Sequence, residues 1–173
     1  LSVEAEAFGS QIRITEDAVA AVIGRIVNDV EEARALKVPP VGKGRTGLYV
    51  EAIQKACRMI TDRPVFAGVI GPFSLAGRLM DVTEALVNCY AEPDMVHLTM
   101  EKATQFLIEY CKAYKAVGAN GGVMAEPRTG LLSPAMAEEF SEPYVKQIVD
   151  AVQDENFLVI YHNCGNNTIK MID

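Results

Sequence analysis

The feature that most constrains the fold is a regular alternation of short apolar runs with longer segments of helical spacing. The runs at 63–70, 121–125 and 157–161 are short, apolar and bounded by polar residues or glycine. Runs of this kind are typical of strands that are buried on both faces of a parallel sheet. The alternation therefore predicts βαβ units, whose crossover helices join parallel strands in a right-handed sense.

The segments between the strands carry signals for helix starts and ends. Apolar spacing marks the helical stretches, and Asp, Pro or Ser-Pro precedes most of them, as expected at helix N-termini. Helices are predicted at 46–60, from Asp81 with Glu84 completing a capping box, from Pro93 to Gly118, and from Ser133 to Val152. The Gly-Pro segment at 71–77 is predicted as a loop.

The count of strands indicates an incomplete barrel. A further run at 3–8 alternates apolar and acidic residues, and it is predicted as a short strand that directs Glu4 and Glu6 into a barrel mouth. Four strands are about half of an eight-stranded α/β barrel, which takes about 250 residues. The predicted fold class is α/β, with 1–173 forming one partial TIM (β/α)8-type barrel domain that lacks its N- and C-terminal portions. Since the chain starts at Leu1 and not at Met, we expect a segment cut from a longer protein.

Composition excludes several classes of protein. A net charge of −7, with Lys and Arg scattered, argues against a nucleic-acid partner. No window approaches the roughly 18 apolar residues of a membrane span, and no secretory signal is present, so we expect a cytoplasmic protein. Cys57, Cys89 and Cys111 lie in helical patterns, which favours reduced thiols over disulfides.

The strongest chemical signal is His162-x-Cys164, directly after the last predicted strand. Residues at i and i+2 on an extended backbone point the same way, so an imidazole nitrogen and a thiolate sulfur can meet one ion. Nitrogen and sulfur ligands together favour Zn²⁺. Glu126, at the end of a neighbouring strand, is a candidate for a third ligand. The competing interpretation is that His162 and Cys164 are ordinary loop residues beside a glycine turn.

Other strand ends supply further candidates, because loops after the carboxyl ends of parallel strands build active sites. We assign Glu126 and Arg128 to catalysis. The two residues are equally suited to pairing with each other, or Arg128 to binding a carboxylate-bearing ligand. His97 and Met124 are interpreted as structural residues.

The loop at 71–77 is a candidate for binding substrate, because its glycines allow a ligand to approach the backbone. Its spacing matches neither nucleotide-binding glycine motif, so we expect it mainly to pack. The residues assigned to substrate binding are Gly71, Pro72, Phe73 and Ser74.

Four segments together resemble the uroporphyrinogen decarboxylase superfamily, over nearly the whole chain. The His-x-Cys-Gly-Asn segment resembles the methylcobamide:coenzyme M methyltransferase branch, because true porphyrinogen decarboxylases lack a zinc-binding His-x-Cys at that strand end. The segments are Val-Glu-Ala-Glu-Ala-Phe-Gly at 3–9, Val-Ile-Gly-Pro-Phe-Ser-Leu-Ala-Gly at 69–77, Gly-Leu-Leu-Ser-Pro at 130–134 with Phe140, Pro143 and Tyr144, and His-Asn-Cys-Gly-Asn at 162–166.

The resemblance implies a TIM-type barrel with zinc at its mouth. His162 and Cys164 would be ligands, and a second cysteine would follow far downstream, beyond Asp173. The zinc would lower the pKa of an acceptor thiol such as coenzyme M, so that a thiolate attacks the methyl group of a methylcobamide. The partners implied are a corrinoid protein and a small thiol.

Two other functions stay open. One alternative is a metal-free decarboxylase of porphyrinogen carboxylates that uses acidic and basic groups such as Arg128. The other is an inactive barrel fragment.

The partial barrel also has a consequence for assembly. A half-barrel exposes two sheet edges and an apolar inner face, so we expect a homo-oligomer formed through these edges, or the missing half of the barrel as a partner.

Overall fold

The structure is a computed structural model, and it describes residues 2–163. One or more helices separate the strands of its parallel sheet, as expected of an α/β protein. In order they are α1 (Val3–Phe8), β1 (Gln11–Thr15), β2 (Ala18–Ile23), α2 (Val30–Ala35), α3 (Thr46–Met59), β3 (Phe66–Ile70), α4 (Pro72–Met80), α5 (Val82–Ala91), α6 (Pro93–Ala116), β4 (Gly121–Ala125), α7 (Pro134–Phe140), α8 (Glu142–Val152) and β5 (Leu158–His162), with a short 3-10 turn at Thr129–Leu131.

A three-stranded parallel sheet organises the described chain, with β4 between β3 and β5. One face of the sheet is buried against helices and includes Val69 and Met124. The opposite face is open, and on β5 it leaves Leu158 50% and Ile160 46% exposed. The predicted apolar inner face is therefore present, at the position that the rest of a barrel would cover.

The long helix α6 lies behind the sheet and supplies much of the core. Its inward face carries four large side chains, all at most 1% exposed: Phe106, Leu107, Tyr110 and Tyr114. Pro93 stands at its first turn, where the missing N–H costs nothing, and Gly118 follows it at φ 99°. Both termini agree with the sequence prediction.

Several other predicted elements are confirmed with small shifts. The helix predicted at 46–60 is α3, and the strands predicted at 63–70, 121–125 and 157–161 are β3, β4 and β5. Asp81 does cap α5, but it accepts from the amide of Thr83, at 2.9 Å, while Glu84 pairs with Arg25. The described cysteines, Cys57, Cys89 and Cys111, are free thiols.

The helix predicted from Ser133 to Val152 is in fact two helices. Ser133 caps the first by accepting from the amide of Met136. The helix ends at Phe140, and Ser141, at φ −131°, separates α7 from α8. Pro143 lies in the first turn of α8, because a proline is tolerated where its missing N–H would have no helical partner.

The strand predicted at 3–8 is wrong, because that segment is α1. Alanine and glutamate favour helix over strand, and Gly9, at φ 114°, ends the helix with its amide bonded to the carbonyl of Glu6. Glu4 and Glu6 therefore do not share a face. Glu4 is buried, whereas Glu6 pairs with Arg45 at 2.6 Å.

Two further expectations need correction. The predicted loop at 71–77 lies within α4, which is buried at eight of its nine positions. The segment from Gln11 to Ile23 forms an antiparallel hairpin that was not predicted from the sequence. The parallel sheet of residues 2–163 thus has three strands, one fewer than predicted.

No helix within residues 2–163 is both long and apolar enough to cross a bilayer.

Candidate functional site

The carboxyl ends of the three parallel strands lie side by side, as the sequence predicted. The amide of Gly71 donates to the carbonyl of Ala125 at 2.8 Å, and the amide of Glu126 donates to the carbonyl of His162 at 2.8 Å. These hydrogen bonds extend the sheet past the ends of β3 and β4. The segments that begin at Gly71, Glu126 and His162 therefore leave the sheet at one edge, where α/β proteins place their active sites.

The Glu126 carboxylate caps helix α4 from the neighbouring strand. Its Oε2 accepts from the amide of Phe73 at 3.0 Å, and its Oε1 accepts from the amide of Ser74 at 2.7 Å. Pro72 has no N–H, and the amide of Leu75 already donates to the carbonyl of Gly71. Every amide of the first turn is thus satisfied, because Glu126 supplies the acceptor that Gly71, the N-cap residue, has no side chain to supply.

Gly71 is needed for this close approach. A Cβ at position 71 would overlap Oε2 of Glu126 and lie 2.5 Å from its Cδ. The backbone there is extended, with φ −79° and ψ 161°, so the requirement for glycine is steric and does not come from an unusual dihedral angle.

Glu126 is fully buried, which changes its acidity. Burial raises the pKa of the Glu126 carboxyl to about 7, against the hydrogen bonds from Ser74 and Phe73 that lower it. A carboxyl with a pKa near neutrality can change its protonation state at physiological pH. Its two oxygens are nevertheless already bonded to backbone amides, so its role in the structure is to position α4.

Arg128 is joined to the same network through its backbone. Its amide donates to the Oγ of Ser74 at 3.2 Å, while its side chain is exposed. Within residues 2–163 no ion pair joins Arg128 to Glu126, so the alternative in which these two residues pair is wrong. Arg128 lies three residues after the end of β4, in the loop that leaves the carboxyl edge of the sheet.

Glu4 lies at the same edge of the sheet. Its Oε1 accepts from the amide of Ile70, the last residue of β3, at 3.1 Å. Because β3 is an outer strand, this amide has no neighbouring strand to bond within the described sheet. Helix α1 thus holds the outer edge of the site, a role that the strand prediction for 3–8 could not reveal.

His162 is the last residue of β5 and lies on the open face of the sheet. It is paired in register with Ala125, and it shares its side of the strand with Leu158 and Ile160. The imidazole is exposed. Cys164, the other predicted metal ligand, lies outside the described residues, so the convergence of the two side chains stays a prediction.

Within residues 2–163 no three His, Cys, Asp or Glu side chains are grouped as a metal site. Glu126 is the residue that the sequence offered as a third ligand beside His162. Its carboxylate is committed to the amides of Phe73 and Ser74, so it would have to abandon both hydrogen bonds to reach a metal. Of His162 and Glu126, the geometry favours only His162 as a metal ligand.

All four residues assigned to substrate binding are buried. Gly71, Pro72, Phe73 and Ser74 form the start of α4, and the amides of Phe73 and Ser74 are already occupied by Glu126. A ligand therefore meets a capped helix and not an open glycine loop. A direct contact of these residues with substrate stays a prediction.

Arg78 was not among the site residues predicted from the sequence. It lies one turn after Ser74 on the same face of α4, so it could be placed only once 72–80 was known to be helical. The available signal for that helix was Pro72 after Gly71, because proline is frequent at the first position of a helix. His97 and Met124 have the structural roles expected of them. His97 stacks on Phe140 and bonds the hydroxyl of Tyr144 at 2.7 Å, and Met124 is fully buried.

The family model "Uroporphyrinogen decarboxylase (URO-D)" matches residues 1–173. The chain is 29% identical to the methylcobamide:CoM methyltransferase MtbA of Methanosarcina acetivorans, covering 97% of the chain and 50% of that protein. It is 34% identical to a uroporphyrinogen decarboxylase of Anaeromyxobacter sp. (strain Fw109-5), covering 82% of the chain and 43% of that protein.

Among solved structures, a methyltransferase from Methanosarcina mazei superposes with a TM-score of 0.86 at 26% identity. The match covers 96% of this chain and 50% of that one. The chain therefore spans about half the length of the relatives it matches. The predicted fold class, an α/β partial TIM-type barrel, is confirmed.

Proposed function

Because this chain belongs to the uroporphyrinogen decarboxylase family, we propose that it is part of a zinc-dependent methyltransferase acting on a methylated corrinoid and a thiol such as coenzyme M. The observation that carries the proposal is the position of His162, the first residue of His162-x-Cys164. It ends β5 on the open face of the sheet, at the edge where Glu126 and Arg128 also emerge. The methyltransferase relatives, which match 97% of the chain, support this choice.

His162 fits a metal site in its position and its donor atom. An exposed imidazole at a strand end can offer a ring nitrogen, and a cysteine two residues later adds the sulfur that zinc favours. The described residues do not complete such a site, so further ligands would come from Cys164 and from the remainder of the full-length protein. Bound zinc would supply the charge that keeps an acceptor thiol deprotonated near neutral pH.

The other site residues would act by holding the loops and the substrate in place. Glu126 holds α4 against β4, and the Ser74 hydroxyl accepts from the amide of Arg128, which fixes the loop after β4. Arg128 presents a guanidinium to the mouth, where it can orient an anionic substrate. A rigid arrangement of this kind lowers the entropic cost of aligning thiol and methyl donor.

The proposed partners follow from the same hypothesis. A corrinoid protein would approach the carboxyl edge of the sheet, since that is where the reacting thiol would be held. The open face at Leu158 and Ile160 lies on the barrel interior and would pack against the other half of a barrel, from the same chain or from a second copy. We keep a homo-oligomer and a cytoplasmic location as parts of this proposal.

A second candidate is a decarboxylase of porphyrinogen carboxylates. The 34% identity to a uroporphyrinogen decarboxylase favours it, and so does the guanidinium of Arg128 at the mouth, which suits a carboxylate-rich substrate. This reaction would need no metal at His162. An inactive fragment is the third candidate, favoured by coverage of only about half of each relative.

Metal content separates these candidates, measured on the product of the complete gene. We expect about one zinc per chain in the wild type, and loss of zinc in His162→Ala and Cys164→Ser, since each removes a ligand. Cys57→Ser is the matched control, because Cys57 is a free thiol on α3. Negligible zinc in the wild type and in all variants would contradict the methyltransferase and leave the decarboxylase to be assayed with porphyrinogen.

A further inference from the structure

Arg78 is the exception on an otherwise buried helix. The other eight residues of α4 are buried, and Arg78 alone is partly exposed. Within residues 2–163 its guanidinium makes no hydrogen bond and no ion pair, whereas the partly buried Arg45 is paired with Glu6. Long side chains with a partly buried charge normally find a partner, because an uncompensated charge is costly to desolvate.

The surroundings of Arg78 increase this cost. Burial lowers the pKa of Arg78, and the nearby positive charge of Arg128 lowers it further, while Glu4 acts in the opposite direction. The Glu4 carboxylate already accepts from the amide of Ile70. The charged groups that act on Arg78 are one guanidinium, that of Arg128, and one carboxylate, that of Glu4, so together with Arg78 itself their charges sum to a positive value.

The hydrogen-bond network fixes the two arginines on the same side of the site. Ser74 and Arg78 are four residues apart on α4 and so lie on one face of the helix. The Ser74 Oγ accepts from the amide of Arg128, which places the loop after β4 against that face. Glu126 holds the helix start in turn, so these hydrogen bonds fix the backbone of Arg128 beside the helix that carries Arg78.

We propose that Arg78 and Arg128 form an anion-binding pair beside the strand ends, and that it takes the acid group, sulfonate or carboxylate, of the small substrate. Two guanidinium forks can bind one tetrahedral or planar anion through several charge-assisted hydrogen bonds. The anion would restore the local charge balance that the described protein groups leave positive. The inference deepens the proposed function at its own site, but binding of an anion requires neither zinc nor methyl transfer.

The test uses simple anions without a thiol, so that a failure of the zinc hypothesis does not affect it. Ethanesulfonate and propionate are titrated into the wild-type protein by NMR, following the Nε–Hε signals of arginine, with propionamide as the neutral control. We expect saturable shifts with both anions and none with propionamide. Arg78→Met and Arg128→Met should each weaken anion binding at least about ten-fold, because each removes charge-assisted hydrogen bonds.

Arg58→Met is the matched control, because Arg58 is exposed on α3. It should leave anion binding unchanged. A thermal melt distinguishes a binding role from a structural one: Arg78→Met should melt at or above the wild-type temperature, since it removes a desolvated charge beside Arg128. Three results would overturn the proposal: no anion binding by the wild type, equal weakening by Arg58→Met, or at least ten-fold preference for inorganic phosphate over both acids.

Discussion

The contact between Gly71 and Glu126 gives the sharpest test of how the site is built. In Gly71→Ala, the new Cβ would overlap the carboxylate that bonds the amides of Phe73 and Ser74. The carboxylate must then move and leave those amides without acceptors in a buried region. The substitution thus reaches Glu126 without changing its chemistry, and alanine itself is compatible with the extended backbone at 71.

The expected loss of stability in Gly71→Ala follows from the number of buried backbone amides that lose their acceptor. A buried amide left without an acceptor costs about 1–3 kcal/mol, so two amides predict a loss of about 2–6 kcal/mol in the free energy of unfolding. Glu126→Ala removes the same two acceptors and should cost a similar amount. In Glu126→Ala the overlaps with Oε2 and Cδ are absent and only the 2.9 Å approach to the Cβ of residue 126 remains, so there the second change should cost clearly less than it does in the wild type.

The assay is a double-mutant cycle by urea denaturation, followed by far-UV circular dichroism. Gly68→Ala is the matched control, because Gly68 is on the same strand region and a Cβ there meets nothing within 4 Å. We expect it to change stability far less than Gly71→Ala. Additivity of Gly71→Ala and Glu126→Ala would refute the reasoning, since it would show that glycine is needed for a reason unrelated to the carboxylate.

Three further predictions test other parts of the structure. Burial raises the pKa of Glu126 to about 7 from 4.5, so its contribution to stability should be complete below about pH 4.5 and lost as the pH rises to about 7; Glu126→Gln should flatten this part of the stability–pH curve. Gly121→Ala should destabilise by several kcal/mol in chemical denaturation, because its Cβ would overlap the carbonyl of Leu158 and separate β4 from β5; an unchanged midpoint would refute this. Asp81→Ala should lower the thermal midpoint, and Asp81→Asn should lower it much less. Asp81 adopts φ 73° and accepts from the amide of Thr83, and asparagine tolerates that conformation and can accept the same bond. Equal midpoints for the two variants would count against the cap.

Much of the fold could be predicted because its signals are local. The strands β3, β4 and β5 are continuous apolar runs, and α6 has a proline at its start and a glycine after its end. The convergence of the strand ends also followed, since it is a property of any parallel sheet. The motifs that resemble the uroporphyrinogen decarboxylase superfamily identified the family to which the chain belongs.

The site itself was only partly predictable. The sequence indicated Glu126, Arg128 and His162, and the structure places all three at one edge of the sheet. It could not reveal that Glu126 caps a helix, because 71–77 read as a loop on account of its glycines. Arg78 was overlooked for the same reason, since only a helix brings it onto the face of Ser74.

The sequence by itself determined the strand positions, the main helix and the family, because each depends on neighbouring residues or on a short motif. Tertiary structure decided that 3–8 and 71–77 are helical and that the second of these is buried. The acceptor for the amide of Phe73 is 53 residues away, and the carboxylate that bonds Ile70 is 66 residues away. Contacts at such separations exist only once the chain has folded, so no local pattern could encode them.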